Sequence, residues 1–314
     1  MVIELTVFLI ITILLILIFI GIYSCFFILA FVKQNVGDAD DVNSPINKPL
    51  QDYKEIIKEG IEYIKTTPHK WVEVISFDGL KLKARYYDNN ADKTIILVHG
   101  YRSTSARDFS CAVRMYSAFG FNILLCDQRC SGRSEGKIIT FGVKESRDIV
   151  SWVDFLNNKF SPKSIILSGI SMGATTVLLS PLRGLPSNVK GIIADCGFTS
   201  PVEIISKVAK QSFKINAKYI LPLLDLGCKL FGNFSIYGVS TLESVKKFDK
   251  PILFIHGKKD NFVPYEMSVR CFEKCNGNGN LLLSENAGHG TSYLLETKRV
   301  ETELKKFLNS CISE

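Results

Sequence analysis

The sequence predicts an α/β protein: a mostly parallel sheet with helices on both faces, an inserted helical cap and an N-terminal transmembrane helix. Three observations predict it. From residue 94 onward, short apolar runs alternate with helical stretches, the pattern of a parallel sheet covered on both sides. One connection, 198–250, is 53 residues long, too long for a simple crossover and therefore a cap. Residues 5–32 form an uncharged run of 28.

The elements follow in order. A span needs about 20 apolar residues, so the first 32, whose one charge is Glu4, can cross a bilayer with tilt to spare. They lack the basic start, the short apolar run and the small-residue cleavage site of a signal peptide. "KQNVGDADDVNSPIN" (33–47) is polar and breaker-rich, a linker. In 50–68, Tyr53, Ile56, Ile57, Ile61 and Ile64 recur at helical spacing, so a helix leads into Pro68. "WVEVISF" and "LKLKARYY" flank Asp78-Gly79, a hairpin signal that sets antiparallel strands at one edge. Six buried strands are expected at 94–100, 121–127, 164–170, 191–197, 251–257 and 280–286. Helices are expected at 105–118, 144–158, 172–182, 266–275 and 291–309. The chain thus divides into an anchor (1–32), a linker with a leading helix (33–70) and one α/β domain (71–314) carrying the cap at about 198–250.

Composition narrows the function. The net charge of +7 is mild for 314 residues, and no arginine-rich or aromatic-interleaved patch points to nucleic acid. Nine cysteines at no regular spacing suit a reducing compartment, and the pairs Cys126/Cys130 and Cys271/Cys275 lack metal-ligand spacing. No lysine or arginine precedes the apolar run, whereas Lys33 and Lys48 follow it. The positive-inside rule therefore places the domain on the cytoplasmic side.

The chemistry centres on Gly169-Ile170-Ser171-Met172-Gly173, a serine between two glycines, with a strand before it and a helix after. Such a strand-to-helix corner lifts Ser171 Oγ out of the sheet, and side chains at Gly169 or Gly173 would clash with the neighbouring elements. A serine needs a base, and the base an orienting acid. There are four histidines. His289 lies in "ENAGHGTSY", in the loop between the last strand and the last helix, where a mobile imidazole can reach the serine. Asp260, in "FIHGKKDNFVP", follows the strand before it. The order Ser171, Asp260, His289 is the chain order associated with a serine on such an elbow. The oxyanion hole needs two backbone N–H donors, assigned to Met172 and to Tyr101, with Gly100 letting the backbone approach the substrate. His99 ends a strand and is read as a structural hydrogen-bonder, His256 likewise, and His69 as a surface residue. No metal or organic cofactor is needed.

From about 71 to 310 the chain resembles the alpha/beta hydrolase superfamily, in "LVHGY", "DQRCSGRSEG", "GISMGA", "GKKDNFVP" and "AGHG". It is most similar to bacterial hydrolases with one N-terminal anchor, of the serine aminopeptidase and monoacylglycerol-lipase-like branch. The resemblance implies that Asp127, Arg129, Gly132 and Ser134 are scaffold bracing the loop beside the nucleophile. Cys130 and Ser131 depart from that branch, which often has small residues and histidine there. In "ADCGFTSP", Asp195 is an alternative acid, with Asp260 preferred on placement. The expected activity is hydrolysis of a carboxylic ester, small or lipid-like, through an acyl-enzyme. Peptidase, amidase and thioesterase activities remain alternatives because the cap selects the substrate, and a non-catalytic membrane-anchored scaffold is the remaining rival. Two features of the cap extend the expectation. Lys207, Lys210, Lys214 and Lys218 fall on one stripe of a helix over 203–220, read as a solvated basic face on a lid helix, with contact to anionic headgroups as the alternative. The apolar stretch 219–231 is expected to line an acyl pocket.

Overall fold

A computed structural model of the chain describes residues 2–34 and 48–312. The expected linker therefore lies, from residue 35 on, outside the described residues. Eight strands form one sheet in the order β1-β2-β4-β3-β5-β6-β7-β8. They are β1 (Lys70–Ile75), β2 (Lys81–Tyr87), β3 (Lys93–Val98), β4 (Asn122–Cys126), β5 (Ser164–Ile170), β6 (Val189–Asp195), β7 (Ile252–Gly257) and β8 (Gly279–Ser284). The β1–β2 hairpin turns at Asp78-Gly79 and pairs antiparallel. From β4 to β8 every pairing is parallel, with Ile95 of β3 between Ile123 and Ile166. Strands β3 to β8 stand within two residues of the expected positions, and in β3 to β7 continuous apolar runs are buried on both faces.

The helices are α1 (Val2–Phe31), α2 (Lys54–Thr66), α3 (Ser105–Asp108), α4 (Ala112–Ala118), α5 (Glu145–Lys159), α6 (Met172–Leu179), α7 (Pro201–Phe213), α8 (Leu221–Gly232), α9 (Thr241–Ser244), α10 (Glu266–Phe272), α11 (Ser292–Leu295) and α12 (Thr297–Ile312). One core layer joins α2, α4 and α12 to the sheet face bearing Ile95 and Leu97. The other joins α5 and α6 to the face bearing Ile96 and Val98. The helix expected over 105–118 is broken into α3 and α4. At the break the α2 backbone approaches so closely that only Gly60 fits against Ser110.

A third apolar cluster joins α1 to the cap. Most of α1 is exposed, but Phe27 and Phe31 are buried among Leu224, Cys228 and Phe234 of the cap. The Tyr23 hydroxyl donates to Leu223 O (2.9 Å), and α8 packs so tightly on α1 that only glycine fits at 227, against Tyr23 and Phe27. The apolar helix is therefore a packed element of the domain at its C-terminal end.

Candidate active site

Ser171 sits at the corner between β5 and α6 with φ 55° and ψ −117°, a conformation that costs an L-residue roughly 1–3 kcal/mol. The corner is held by Ser171 N donating to Asp195 O (2.8 Å) and Thr175 N donating to Ser171 O (3.1 Å). Its glycines are steric necessities. A Cβ at Gly169 would run into the backbone of Gly173, and a Cβ at Gly173 into the carbonyl oxygens of Val98 and His99. Gly100 is tight as well: a Cβ there would lie 3.3 Å from that of Ser171.

Ser171 Oγ lies 2.9 Å from His289 Nε2, and His289 Nδ1 lies 2.7 Å from Asp260 Oδ2. A carboxylate at Nδ1 fixes the ring proton there, leaving Nε2 to accept from the serine hydroxyl. The Asp260 side chain is fully buried. Burial by itself would push its carboxyl up, but hydrogen bonds from His256 and His289 hold it well below the usual carboxylate range. Its Oδ1 accepts from Phe262 N and Val263 N, both at 2.8 Å. His256 Nε2 faces both Asp260 Oδ2 (3.1 Å) and Val263 O (3.0 Å), so it carries the proton, and Nδ1 faces Ser268 Oγ (2.7 Å). His256 is thus a structural hydrogen-bonder whose structural task is to hold the acid. Its spacing of four residues before Asp260 was the available signal, but sequence alone does not tell which way that imidazole turns.

Asp195 is brought near but not into contact with His289. It lies at the end of β6, fully buried, and neither carboxylate oxygen has a hydrogen-bond partner among the described residues. Burial pushes its carboxyl up to about 7. Of the two acids weighed from sequence, the structure sets Asp260 against the imidazole. Cys196 Sγ stands 4.0 Å from His289 Nε2, and Cys196, Asp260 and His289 are the one grouping among the described residues close enough to share a cation. Their geometry suits proton transfer instead, because the Asp260 and His289 atoms already face each other and Ser171.

The loop after β3 brings Tyr101 beside Ser171. Neither the Tyr101 nor the Met172 backbone N–H has a protein acceptor among the described residues. His99 braces this loop from beneath: Nε2 accepts from Gln128 N (3.1 Å) and Nδ1 donates to Gly100 O (2.8 Å). Gly100 N donates to Asp108 Oδ2 (2.6 Å). The segment 127–134 supports it from the side. Asp127 accepts from Ser105 Oγ (2.7 Å) and Arg133 N (3.0 Å), and its carboxylate fills the space a Cβ at Gly132 would need. Ser134 Oγ closes the turn onto Asp127 O (2.6 Å). Buried Arg129 forks onto Asp148 (2.6 and 2.7 Å) and also reaches Asp78. His69 lies before β1, packed edge-on to Trp71 and away from the site.

A cavity of about 790 Å³ opens at Ser171 and His289. Its apolar wall comes from Leu50 and Ile57 of the leading segment, with Tyr101, Ile170, Phe262 and Leu294. This corrects one expectation: the stretch 219–231 does not line it, because α8 spends its apolar face on α1. The basic stripe is also corrected. The helix stops at Phe213, and Lys214 (φ 57°) turns the chain, so 203–220 is not one helix. Lys207 is withdrawn from any such stripe, its Nζ donating to Asn261 O (2.7 Å) and Phe262 O (2.6 Å) in the loop that carries Asp260.

Known proteins resemble this chain in sequence and in fold. Residues 89–226 match the family described as Serine aminopeptidase, S33, and residues 235–311 the one described as TAP-like protein. The chain is 30% identical over 223 residues to the uncharacterized protein YqkD of Bacillus subtilis, covering 71% of this chain and 73% of that one. It is 25% identical to the uncharacterized membrane protein YNL320W of Saccharomyces cerevisiae, over 66% of this chain and 68% of that one. Among solved structures, the esterase Pf2001 of Pyrococcus furiosus shares the fold with a TM-score of 0.66. The identity is 24%, over 79% of this chain and 92% of that one.

Proposed function

This chain belongs to the alpha/beta-hydrolase superfamily as a serine-type carboxylic-ester hydrolase, and on that premise we propose that Ser171 is its nucleophile, His289 its general base and Asp260 the group that orients the base. The observation that supports this reading is the unbroken hydrogen-bonded line from Ser171 Oγ through both nitrogens of His289 to Asp260. His289 Nε2 takes the serine proton as Oγ attacks the ester carbonyl carbon. The oxyanion is met by the N–H groups of Tyr101 and Met172. The imidazolium, stabilised by the Asp260 carboxylate, returns the proton to the leaving alkoxide. Water then repeats the sequence on the acyl-enzyme and releases the acid.

The substrate we propose is a lipid-like ester. The size of the cavity, within the roughly 300–1,000 Å³ of small-molecule sites, and its apolar wall support this. We further propose that α1 spans a membrane, with the domain on the cytoplasmic side. At 1.5 Å per residue its 30 residues reach about 45 Å, against about 30 Å of hydrocarbon. The excess matches the turns from Tyr23 to Phe31 that pack into the domain. Phe213 meets Phe26 at 5.4 Å, so the exposed turn of the cap carrying Phe213, Tyr219, Lys210, Lys214 and Lys218 lies where α1 leaves the bilayer. Aromatic and basic side chains suit that interface. Replacing these three lysines by glutamine is expected to lower activity on anionic vesicles and spare activity on a soluble ester. Equal activity on vesicles would remove the cap contact from the proposal.

The decisive experiment measures hydrolysis of p-nitrophenyl esters from two to sixteen carbons by the wild type and Ser171→Ala. Turnover by the wild type alone, with a preference for longer chains, is the expected result. Turnover of p-nitroanilides in place of esters would favour the amide-cleaving alternative.

A further inference from the structure

The last turn of an α-helix leaves its C=O groups without intrahelical partners. At the end of α1 these are satisfied by the domain, and chiefly by the loop after β3. The Tyr101 hydroxyl donates to Ala30 O (2.8 Å), and Arg102 Nη2 donates to Val32 O (3.1 Å). Ile139 N donates to Phe31 O (2.7 Å), and Val32 pairs with Ile138 in an isolated bridge. The guanidinium stands at the negative end of the long helix, where a cation is favoured. The Tyr101 ring stacks on Phe141 (5.2 Å), which in turn packs edge-on against Phe31 (5.4 Å).

The same two residues bear on the catalytic loop. Tyr101 supplies the proposed oxyanion donor through its backbone N–H. Arg102, the next residue, has φ 50°, a left-handed conformation that disfavours a side chain and persists only where surroundings dictate it. Its side chain is held at the end of α1 by Ile28 O (3.5 Å) and by Val32 O just beyond the helix, with the guanidinium over the Tyr101 ring (4.8 Å). Burial pushes the Tyr101 phenol up to about 12, so its hydroxyl remains a donor at neutral pH.

We propose that the C-terminal end of α1 is a positioning element for the oxyanion hole, acting through the Tyr101 hydroxyl and the Arg102 guanidinium. The anchor then contributes to the rate of the chemical step and does more than fix location. This rests on the assignment of the Tyr101 N–H as an oxyanion donor. The bonds to α1 set the angle of that N–H, so loosening them weakens a contact made only in the transition state.

The test uses the full chain in detergent micelles. Tyr101→Phe removes one hydroxyl and keeps the ring and N–H; Arg102→Ala removes the cap; Arg102→Lys restores a cation. Tyr23→Phe deletes the comparable bond between α1 and the cap, away from the loop, and serves as the control. Measured are kcat and KM on p-nitrophenyl butyrate and the affinity of an alkyl boronic acid, which forms a tetrahedral adduct on serine. Tyr101→Phe and Arg102→Ala are expected to lower kcat about five- to tenfold with KM within about twofold. Boronate affinity should fall by the same factor, Arg102→Lys should recover part of the loss, and Tyr23→Phe should match the wild type. A merely structural role would lower the melting temperature without moving kcat and boronate affinity together. If Tyr101→Phe and Arg102→Ala both keep wild-type kcat and boronate affinity, the coupling is wrong. Fluorophosphonate labelling separates the two levels. An unlabelled Ser171 in the wild type overturns the nucleophile assignment itself, whereas a labelled Ser171 with unaffected variants overturns only the role of α1.

Discussion

Replacing Asp260 by asparagine changes one atom and reverses a tautomer. Asp260 Oδ1 accepts from two backbone N–H groups, of Phe262 and Val263, so the asparagine oxygen must stay on that side. Its NH₂ must then face His289 Nδ1 and His256 Nε2, where Oδ2 stood at 2.7 and 3.1 Å. His256 keeps its proton on Nε2 through Val263 O. His289 can accept from the new NH₂ only by moving its proton to Nε2, the nitrogen 2.9 Å from Ser171 Oγ. The serine then faces a donor and has no base. Loss of the correct tautomer at such a triad costs about 10⁴ in kcat, which is about 5.5 kcal/mol at the transition state. The assay is kcat and KM on p-nitrophenyl butyrate at pH 8, with KM expected to stay near wild type. A loss smaller than about 100-fold, or a larger loss in Asp195→Asn, would refute the reasoning and move the acid to Asp195. The same carboxylate bears on stability. Its pKa in the fold lies below the unfolded value, so its contribution is present above about pH 4 and is lost as pH falls toward the folded value. Acid melting curves of Asp260→Asn should lack that part of the wild-type decline.

Other outcomes follow from the same geometry. In Gly173→Ala the new methyl meets the carbonyls of Val98 and His99, so the melting temperature should fall by an amount matching about 3 kcal/mol or more, with activity lost; retention of both would mean the corner is looser than described. Asp195 carries the opposite sign from Asp260: burial raises its folded pKa to about 7, so ionisation destabilises the fold as pH rises from about 4 through 7. Asp195→Asn should therefore raise the melting temperature at pH 8 by roughly 2–4 °C or more, with the gain shrinking toward pH 4, and a pH-independent effect would contradict the assignment.

How much was legible in the sequence depended on whether the physics was local. Strand runs such as "TIILVHG" and the glycine-serine-glycine corner are set by neighbours in the chain, through side-chain periodicity and backbone sterics. They stand where the pattern puts them, and Gly173 shows why: its hydrogen is all that fits beneath Val98 O. The order Ser171, Asp260, His289 was legible for the same reason, each residue following its own strand. What only the tertiary structure decided involves partners far apart in sequence. The orientation of His256 depends on Ser268 and Val263. Lys207 leaves its expected stripe because Asn261 and Phe262, more than fifty residues away, offer carbonyls, and no helical wheel contains them. The apolar run 219–231 was readable as a surface needing cover, but hydrophobicity is non-directional and does not name the cover. The fold supplies α1 for that role and leaves the pocket wall to Leu50 and Ile57. The apolar N-terminal run read as a tether because composition reports only that it avoids water. That its last carbonyls are capped by Tyr101 and Arg102, in the loop beside Ser171, is a matter of hydrogen-bond geometry across some seventy residues of chain.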